Sequence, residues 1–426
     1  MKKYYMLILA TALTISGCSD FLDRDPDDYI GGEMVYGDEK LASAAVSNLY
    51  GRVYWGQNID QDKLYIYLDE ACLSSGSPDN TYGFSNEFMR VYEYALLRDM
   101  NILLQGIRSK AGEPLGEALR TRFEGEIRFL RAWTYFNMAR SLGGMPLIGD
   151  NVFEYTSGMD VSTLQYPRSS EAGIYDYVIS ECEDVARNFL GEEPSVNGAR
   201  AVKWTALALK ARAALYAGSI ARYNARMATP LQTPQGSVGI PAEKDTYYYD
   251  IALKAAQEII ASHKYELYEL NSDKRRNFYE ATSVKNGNKE VIWTFDHIYP
   301  GSVTMFSANN FPTSHAEEES STNITPILNL VEAFEYVDNR DGSLRLTDRD
   351  GRNVVYDNAA DLFADKDPRL WGTVIYPGSE LKDEPVVFQA GRVSPAGSGS
   401  WNYEVGSAGS TDPDGNLITS INGPFM

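Results

Sequence analysis

Two loops carry the side chains best suited to holding a polar ligand. The stretch from Ser74 to Phe84 joins two helical patterns and sets Asp79 and Asn80 beside Tyr82 and Phe84. Aromatic faces next to carboxylate and amide groups can stack on a ligand and hydrogen-bond its edge, and connections between helices are where such groups gather. Tyr299, Phe306, Asn309, Asn310 and Phe311 repeat the mixture in a Gly/Ser/Asn/Pro-rich stretch that runs from Tyr299 to Ser321. Both stretches also read as plain polar loops whose aromatics tuck into the core. Trp293 has apolar flanks and reads as core, and Trp133 and Trp204 sit within helical patterns and read the same way.

Bond-breaking chemistry is poorly supplied. The three His, at positions 263, 297 and 315, are not spaced as a helical zinc pair, and no G-x-S-x-G occurs. Asp296-His297 reads as a two-residue coincidence with no nucleophile assigned to it. Carboxylates are plentiful, with 59 Asp and Glu, but no segment isolates two of them in an apolar setting as glycoside hydrolysis requires. Glu317, Glu318 and Glu319 read as solvated surface. Asp348, Asp350 and Asn353 lack the twelve-residue ligand loop of a calcium site and read as a turn. The expectation is a binding protein that is not an enzyme and has no cofactor, with a structural calcium ion left open.

Composition narrows the partners. The formal charge is −20, no run of Lys and Arg appears, and nucleic acid is therefore excluded as a partner. Such acidity suits a neutral or cationic ligand. Twenty-nine Tyr, sixteen Phe and six Trp make an aromatic share of 12%. Tyr stays half wet while offering a flat apolar face, so the surplus fits a protein that stacks on something.

The elements that must position these loops are mainly helical. Leu41, Ala45, Leu49 and Val53 recur at four-residue steps, and Phe88, Tyr92, Ala95, Leu103 and Ile107 do much the same. The run Leu119, Phe123, Ile127, Leu130, Thr134 and Met138 adds Phe129, Trp133 and Phe136 on other faces, which predicts a helix buried nearly all round and stopped at Gly143-Gly144. Ser169 reads as the N-cap of a helix through Ile174, Val178, Cys182, Val185 and Phe189. Ala-rich positions from Trp204 to Leu215 and a pattern from Ile251 to Ile260 complete the set. Helix pairs with Ala at contact positions suggest irregular tetratricopeptide-like repeats over 39–265. From 266 to 426 the texture is loop-rich, with a strand-like run at 290–295 and Asp-Gly turns at Asp341-Gly342 and Asp350-Gly351. Gly423-Pro-Phe-Met426 reads as a chain lacking its natural C-terminal segment.

The N-terminus has a separate logic. Lys2 and Lys3 precede twelve apolar residues, Tyr4 to Ile15, too few to span a bilayer and suited to a secretory signal. Ile15-Ser16-Gly17-Cys18 resembles the lipobox of bacterial lipoproteins, which implies cleavage after residue 17 and acylation of Cys18. Several acyl chains anchor stably where one does not. Residues 18–38 then form a tether whose Asp20, Asp23, Asp25, Asp27 and Asp28 resemble a surface-export signal of Gram-negative lipoproteins. Loss of Lys2 and Lys3 leaves −22 on the mature part. Cys72 and Cys182 are the other two cysteines, and the sequence leaves open whether they pair.

Several segments together resemble the SusD/RagB family of outer-membrane nutrient-binding lipoproteins. They begin with Cys18-Ser-Asp-Phe-Leu-Asp23 and Asp25-Pro26. The most specific is Glu124-Gly-Glu-Ile-Arg-Phe-Leu-Arg-Ala-Trp-Thr-Tyr-Phe136, continuing to Gly143-Gly144-Met-Pro-Leu-Ile148. Pro167-Arg168-Ser169-Ser170, Ala206-Leu-Ala-Leu-Lys-Ala-Arg212, Asp367-Pro368-Arg369-Leu370 and Tyr376-Pro377-Gly378-Ser379 follow in the family's order. The resemblance implies a mainly α, tetratricopeptide-like scaffold with a loop-rich ligand face and a few short strands. It also implies glycan ligands, lipid attachment on the outer face of the outer membrane, and a SusC-like TonB-dependent transporter as partner. A sugar shows an apolar C–H face and a rim of hydroxyls, so Asp79, Asn80, Tyr82 and Phe84, with Tyr299, Phe306, Asn309 and Asn310, become the expected contacts. A secreted glycoside hydrolase, or binding of a non-glycan nutrient such as a peptide, is the alternative.

Overall fold

The computed structural model describes residues 32–55, 66, 69–73, 90–154, 156–193, 198–231, 233–301, 303–304, 306–312, 315, 324–354 and 356–386, with the backbone of 391–397 and 400–405. Cys18, the rest of the leader and the loop bearing Asp79, Asn80, Tyr82 and Phe84 lie outside these residues.

The folded body begins inside the stretch assigned to the tether. Helix α1 (Gly32–Gly37) sets the ring of Tyr36 against Gly106, where an added Cβ would come within 2.3 Å of the ring. Only a glycine lets the aromatic face approach that closely. Asp38 then caps α2 (Glu39–Arg52), its Oδ1 accepting from Lys40 N and Leu41 N at 2.9 Å each. The buried stripe of α2 is Ala42, Val46 and Leu49 with Val53, so its inner face is turned by one residue from the pattern at 41 and 45.

Four helices follow in order: α3 (Tyr94–Arg108), α4 (Gly116–Leu142), α5 (Glu171–Asn188) and α6 (Lys203–Asn224). A fifth, α7 (Asp245–Ala261), packs on α6, and from α3 onward each helix packs on the one before it. This is the tetratricopeptide-like stack that the apolar periodicity predicts. Helix α4 is its axis. Phe129, Leu130, Ala132, Tyr135, Phe136 and Met138 are all wholly buried, because helices cover it on several sides. It stops at Gly143, whose φ of +73° suits glycine, and Gly144 lies so close to Ser169 O that a Cβ would meet it at 2.1 Å.

The N-cap of α5 is Ser170, one residue after the position the sequence indicates, with its Oγ accepting from Gly173 N at 3.0 Å. Small residues bring α6 and α7 together: Ala213, Ala214, Ala217 and Ala221 are fully buried, and Gly218 faces the ring of Tyr249.

A buried ionic network ties α3, α4 and α5 to the connection after α4. Arg131, 3% exposed, reaches Asn101 Oδ1 at 2.9 Å, Asp150 Oδ1 at 2.5 Å and Glu181 Oε2 at 3.2 Å. Arg128 holds Glu181 and Asp184 at 2.7 Å each, and Arg108 holds Glu124 and Asp150 at 2.6 Å each. Burial works against the ionised form of Asp150, but hydrogen bonds from Arg108 and Arg131 outweigh it and hold its carboxyl below the ordinary range.

The later part is built from short pieces. They are α8 (Lys274–Ser283), α9 (Phe306–Asn310), α10 (Leu328–Ala333) and α11 (Arg369–Thr373), with three two-stranded ribbons. Strand β1 (Ala71–Leu73) pairs antiparallel with β2 (Ile324–Pro326), β3 (Glu380–Leu381) with β4 (Glu384–Pro385), and β5 (Gly391–Gly397) with β6 (Ser400–Val405). A separate small core gathers Val331, Phe363, Leu370, Val374 and Tyr376.

One sequence expectation changes here, and one question that the sequence leaves open is answered. The run at 290–295 forms no strand: it starts in a turn at Glu290 and bends at Ile292. Cys72 and Cys182 do not pair; both are buried free thiols, one in β1 and one in α5, and burial pushes both thiols up. Around Asp348 the chain forms a turn, with Asp348 Oδ1 accepting from Asp350 N and Arg352 N. Among the described residues no helix is long and apolar enough to cross a membrane, and no group of three or more His, Cys, Asp or Glu is placed to hold a metal ion.

Candidate functional site

Aromatic residues at every second position can share one side where a chain runs extended. In the segment from Glu290 to Tyr299 the alternate positions are Trp293, Phe295, His297 and Tyr299. The first three are joined in one aromatic ladder, and Trp55, from just beyond α2, is a rung of it. The Trp55 ring lies 4.1 Å from Trp293 and 4.9 Å from Phe295, tilted by 38° and 31°. His297 meets Phe295 edge-on at 4.9 Å. At its inner end the ladder is rooted in α4, where Phe129 and Trp133 meet Trp293 edge-on at 5.1 and 5.2 Å. Tyr50 of α2 touches the same ring at 6.2 Å.

Backbone carbonyls fix the indoles. Trp55 Nε1 donates to Tyr50 O at 3.2 Å, Trp133 Nε1 to Tyr54 O at 2.7 Å, and Trp293 Nε1 to Ala199 O at 3.3 Å. Thr294 N donates to Gly198 O, so the segment is pinned at Trp293 and at the residue after it. Trp55, Trp293 and His297 are half-buried, whereas Phe295 is 44% exposed and Tyr299 is 86% exposed. The ladder therefore delivers aromatic surface to water on a base that the core holds still. Asp296, between two rungs, is engaged by Lys285 at 3.1 Å.

Charge is also organised at its root. Arg200 lies over the Tyr50 ring at 5.2 Å and bonds the wholly buried Glu126 at 2.8 Å. Burial, and then the charge of Glu126, push the Tyr50 phenol well up, which keeps it neutral while it accepts from Ala201 N. What this arrangement can do chemically is stack: it offers apolar rings at a wet edge, with the Asp296–Lys285 pair beside them.

The expected contacts fall into three groups. Asp79, Asn80, Tyr82 and Phe84 lie outside the described residues. Tyr299 stands at the outer end of the ladder segment. Phe306, Asn309 and Asn310 share α9, where Phe306, 40% exposed, meets Phe311 edge-on at 6.0 Å. Asn310 Nδ2 is spent on Phe306 O at 2.9 Å, and Lys382 Nζ lies over Phe311 at 5.7 Å. Residue-by-residue reading missed Trp55, Phe295 and His297. Trp293 was expected in the core and is only half there, while Asp296-His297 read as coincidence. The signal that could have found Phe295 and His297 is the alternation of aromatics at 293, 295, 297 and 299, whereas nothing local points to Trp55.

Known proteins resemble the chain as a whole, in sequence and in fold. The chain is 27% identical over 224 residues to a SusD-like protein of Bacteroides ovatus, a match covering 50% of this chain and 39% of that protein. It is 26% identical over 208 residues to SusD-like protein P38 of Formosa agariphila, covering 44% and 38%. A solved SusD-like carbohydrate binding protein of Bacteroides fragilis superposes with a TM-score of 0.57 at 19% identity, over 84% of this chain and 63% of that one. No family model matches the chain. The chain thus spans about two fifths of the curated relatives it matches and under two thirds of that solved structure. The chain is similar to SusD-like proteins in sequence over about half its length, and to a SusD-like solved structure in fold over most of it.

Proposed function

We propose that the protein binds glycans at the outer end of the aromatic ladder, as a lipid-anchored protein on the external face of the outer membrane. In this reading it delivers oligo- or polysaccharide to a SusC-like TonB-dependent transporter and does not cleave it. The observation that carries the binding role is the ladder itself. Phe295 and Tyr299 present aromatic faces to water on a segment that the core holds rigid, and a sugar ring has the apolar C–H face that such surfaces stack on. Stacking that removes about 60 Å² of apolar surface contributes about 1.5 kcal/mol. The name carried by the solved Bacteroides fragilis protein of the same fold, a carbohydrate binding protein, supports the ligand class. The lipobox-like Ile15-Ser16-Gly17-Cys18 and the acidic residues after it support the anchor and the location.

Calorimetry and affinity electrophoresis against a polysaccharide panel test the binding role. At least one glycan is expected to bind, and Phe295→Ala is expected to weaken it about tenfold, the loss of one stacked ring. If no glycan binds, or Phe295→Ala and Tyr299→Ala leave affinity unchanged, the ladder is not the site. Cys18→Ala is expected to abolish incorporation of labelled palmitate and to release the protein from the membrane fraction.

A further inference from the structure

Four successive residues, 198 to 201, form the footing on which the aromatic ladder stands. Gly198 O accepts from Thr294 N at 3.1 Å, and Ala199 O accepts from Trp293 Nε1 at 3.3 Å. Ala201 N donates to Tyr50 Oη at 2.8 Å, and the Tyr50 ring meets Trp293 edge-on. Arg200 fixes the footing to the stack. Its Nη1 donates to Glu126 Oε2 of α4 at 2.8 Å, and its Nη2 donates to Ser43 O and Ser47 Oγ of α2 at 3.1 and 2.6 Å.

The hub of these contacts is Glu126, which is wholly buried. It stands three and seven residues before Phe129 and Trp133, so the stripe of α4 that meets Trp293 edge-on with two rings also carries this carboxylate. Its Oε1 accepts from Arg122 Nε at 2.9 Å, but the Arg122 side chain is 52% exposed against 19% for Arg200, and only Arg200 belongs to the footing. Burying a carboxylate is costly, and an apolar side chain would fill the same space without that cost. What an apolar side chain would not supply is direction. A charge-assisted hydrogen bond fixes where the Arg200 guanidinium stands, and with it the neighbouring carbonyls of Gly198 and Ala199. We infer that Glu126 is a positioning residue for the ladder, acting through Arg200 and Tyr50 on the place where Trp293 and Thr294 are pinned. The inference rests on the ladder being the glycan platform, since a shifted footing then costs affinity with every stacking ring still present.

Two variants test it in the whole protein. Glu126→Gln keeps the size and an acceptor for Arg200 and removes the charge. Tyr50→Phe is milder: it removes the acceptor of Ala201 N, keeps the ring, and decides the matter should Glu126→Gln fail to fold. In both, the Thr294 amide is expected to exchange with solvent at least about tenfold faster. Affinity for whichever of xylan, galactomannan, amylopectin and pectin the wild type binds is expected to fall about five- to tenfold. Arg131→Met, on the same helix but outside the footing, is expected to leave both readings at wild-type values although it destabilises the stack. If Arg131→Met moves them equally, the effect is one of stability alone and the inference falls. Unchanged exchange at Thr294 in both variants overturns it, as does an affinity that Phe295→Ala lowers while Glu126→Gln and Tyr50→Phe leave it alone. If Phe295→Ala too leaves affinity unchanged, or none of the four glycans binds, the platform reading fails and takes this inference with it.

Discussion

The helical stack and the small core around Val331 both bury cations, and they satisfy them by opposite means. In the stack, Arg131 is met by the carboxylates of Asp150 and Glu181 and by Asn101, with Arg108 and Arg128 sharing those acids. In the small core Lys366, 5% exposed, has carbonyls instead: its Nζ donates to Phe334 O at 2.8 Å, Val331 O at 3.4 Å and Gly342 O. The Tyr336 ring lies against it at 4.4 Å, with Arg345 3.9 Å from the same ring. Burial holds the Lys366 amine below its ordinary range. An ion network locks whole helices together across the stack. A carbonyl cage staples one loop-built unit to itself, which is what a region of short elements and little apolar area needs.

The contrast is broken most severely at Arg131. Removing one partner of a buried ionic network leaves the others uncompensated and costs about 3–5 kcal/mol. Arg108 and Arg128 still hold Asp150 and Glu181, so Arg131→Met is expected near the lower end, read from denaturant midpoints. The sign with pH follows from Asp150, whose folded-state pKa is depressed. Its contribution is present above the unfolded carboxyl value of about 3.9 and is lost as pH falls through the lower folded value. The wild-type advantage over Arg131→Met should therefore narrow below about pH 4. A difference constant down to pH 2, on the order of the full transition, would show the network to be uncoupled from titration.

Lys366→Met tests the other arrangement. Three carbonyls lose a charged donor, and the expected cost is about 2 kcal/mol. Hydrogen exchange should show faster opening confined to residues 331–376, with amides of α4 and α5 unchanged. Uniform loss of protection across the stack would mean that the two cores unfold as one.

How much of this was legible differs between the same two regions. The stack was, because helices that bury one face repeat their apolar residues at 3.6, and α4 announced its all-round burial through Phe129, Trp133 and Phe136. What slipped was local. The cap is Ser170 instead of Ser169, because backbone geometry chooses between adjacent serines, and α1 hides in an acidic, glycine-rich run that carries little apolar pattern. The ladder was only half legible. Alternation at 293, 295, 297 and 299 is visible in the chain, but the ring that joins its rungs, Trp55, comes from a helix end far earlier. No local rule connects those positions. The α9 residues, Phe306, Asn309 and Asn310, follow composition alone, and nothing in the sequence tells which of their groups the helix itself consumes.

The ladder allows a sharper division between holding and binding. Phe295 is partly exposed, so Phe295→Ala is expected to cost at most about 1 kcal/mol of stability. Trp55→Ala removes the ring between two others and should cost more stability, about 2–3 kcal/mol. If the two variants destabilise equally, the outer rung is as structural as the inner one, and the case for a ligand platform weakens.

The smallest effect is expected at Glu171, the first residue of α5, which is 6% exposed. Its Oε2 accepts from Gly239 N at 2.6 Å, tying the loop after α6 to the start of α5, and no cation pairs with it among the described residues. Burial raises its carboxyl, and the Gly239 hydrogen bond offsets this only in part. An acid whose folded-state pKa is raised has its full stabilising share below the unfolded value, about 4.3, and loses it as pH rises through the folded value. Glu171 therefore burdens the fold at neutral pH. Glu171→Gln keeps an acceptor for Gly239 and removes the charge, so its melting temperature should exceed the wild type's at pH 7, by the equivalent of under about 1 kcal/mol, and the two should converge on acidification. A variant less stable at every pH would mean that the ionised carboxylate at the helix N-terminus is worth more than its burial costs.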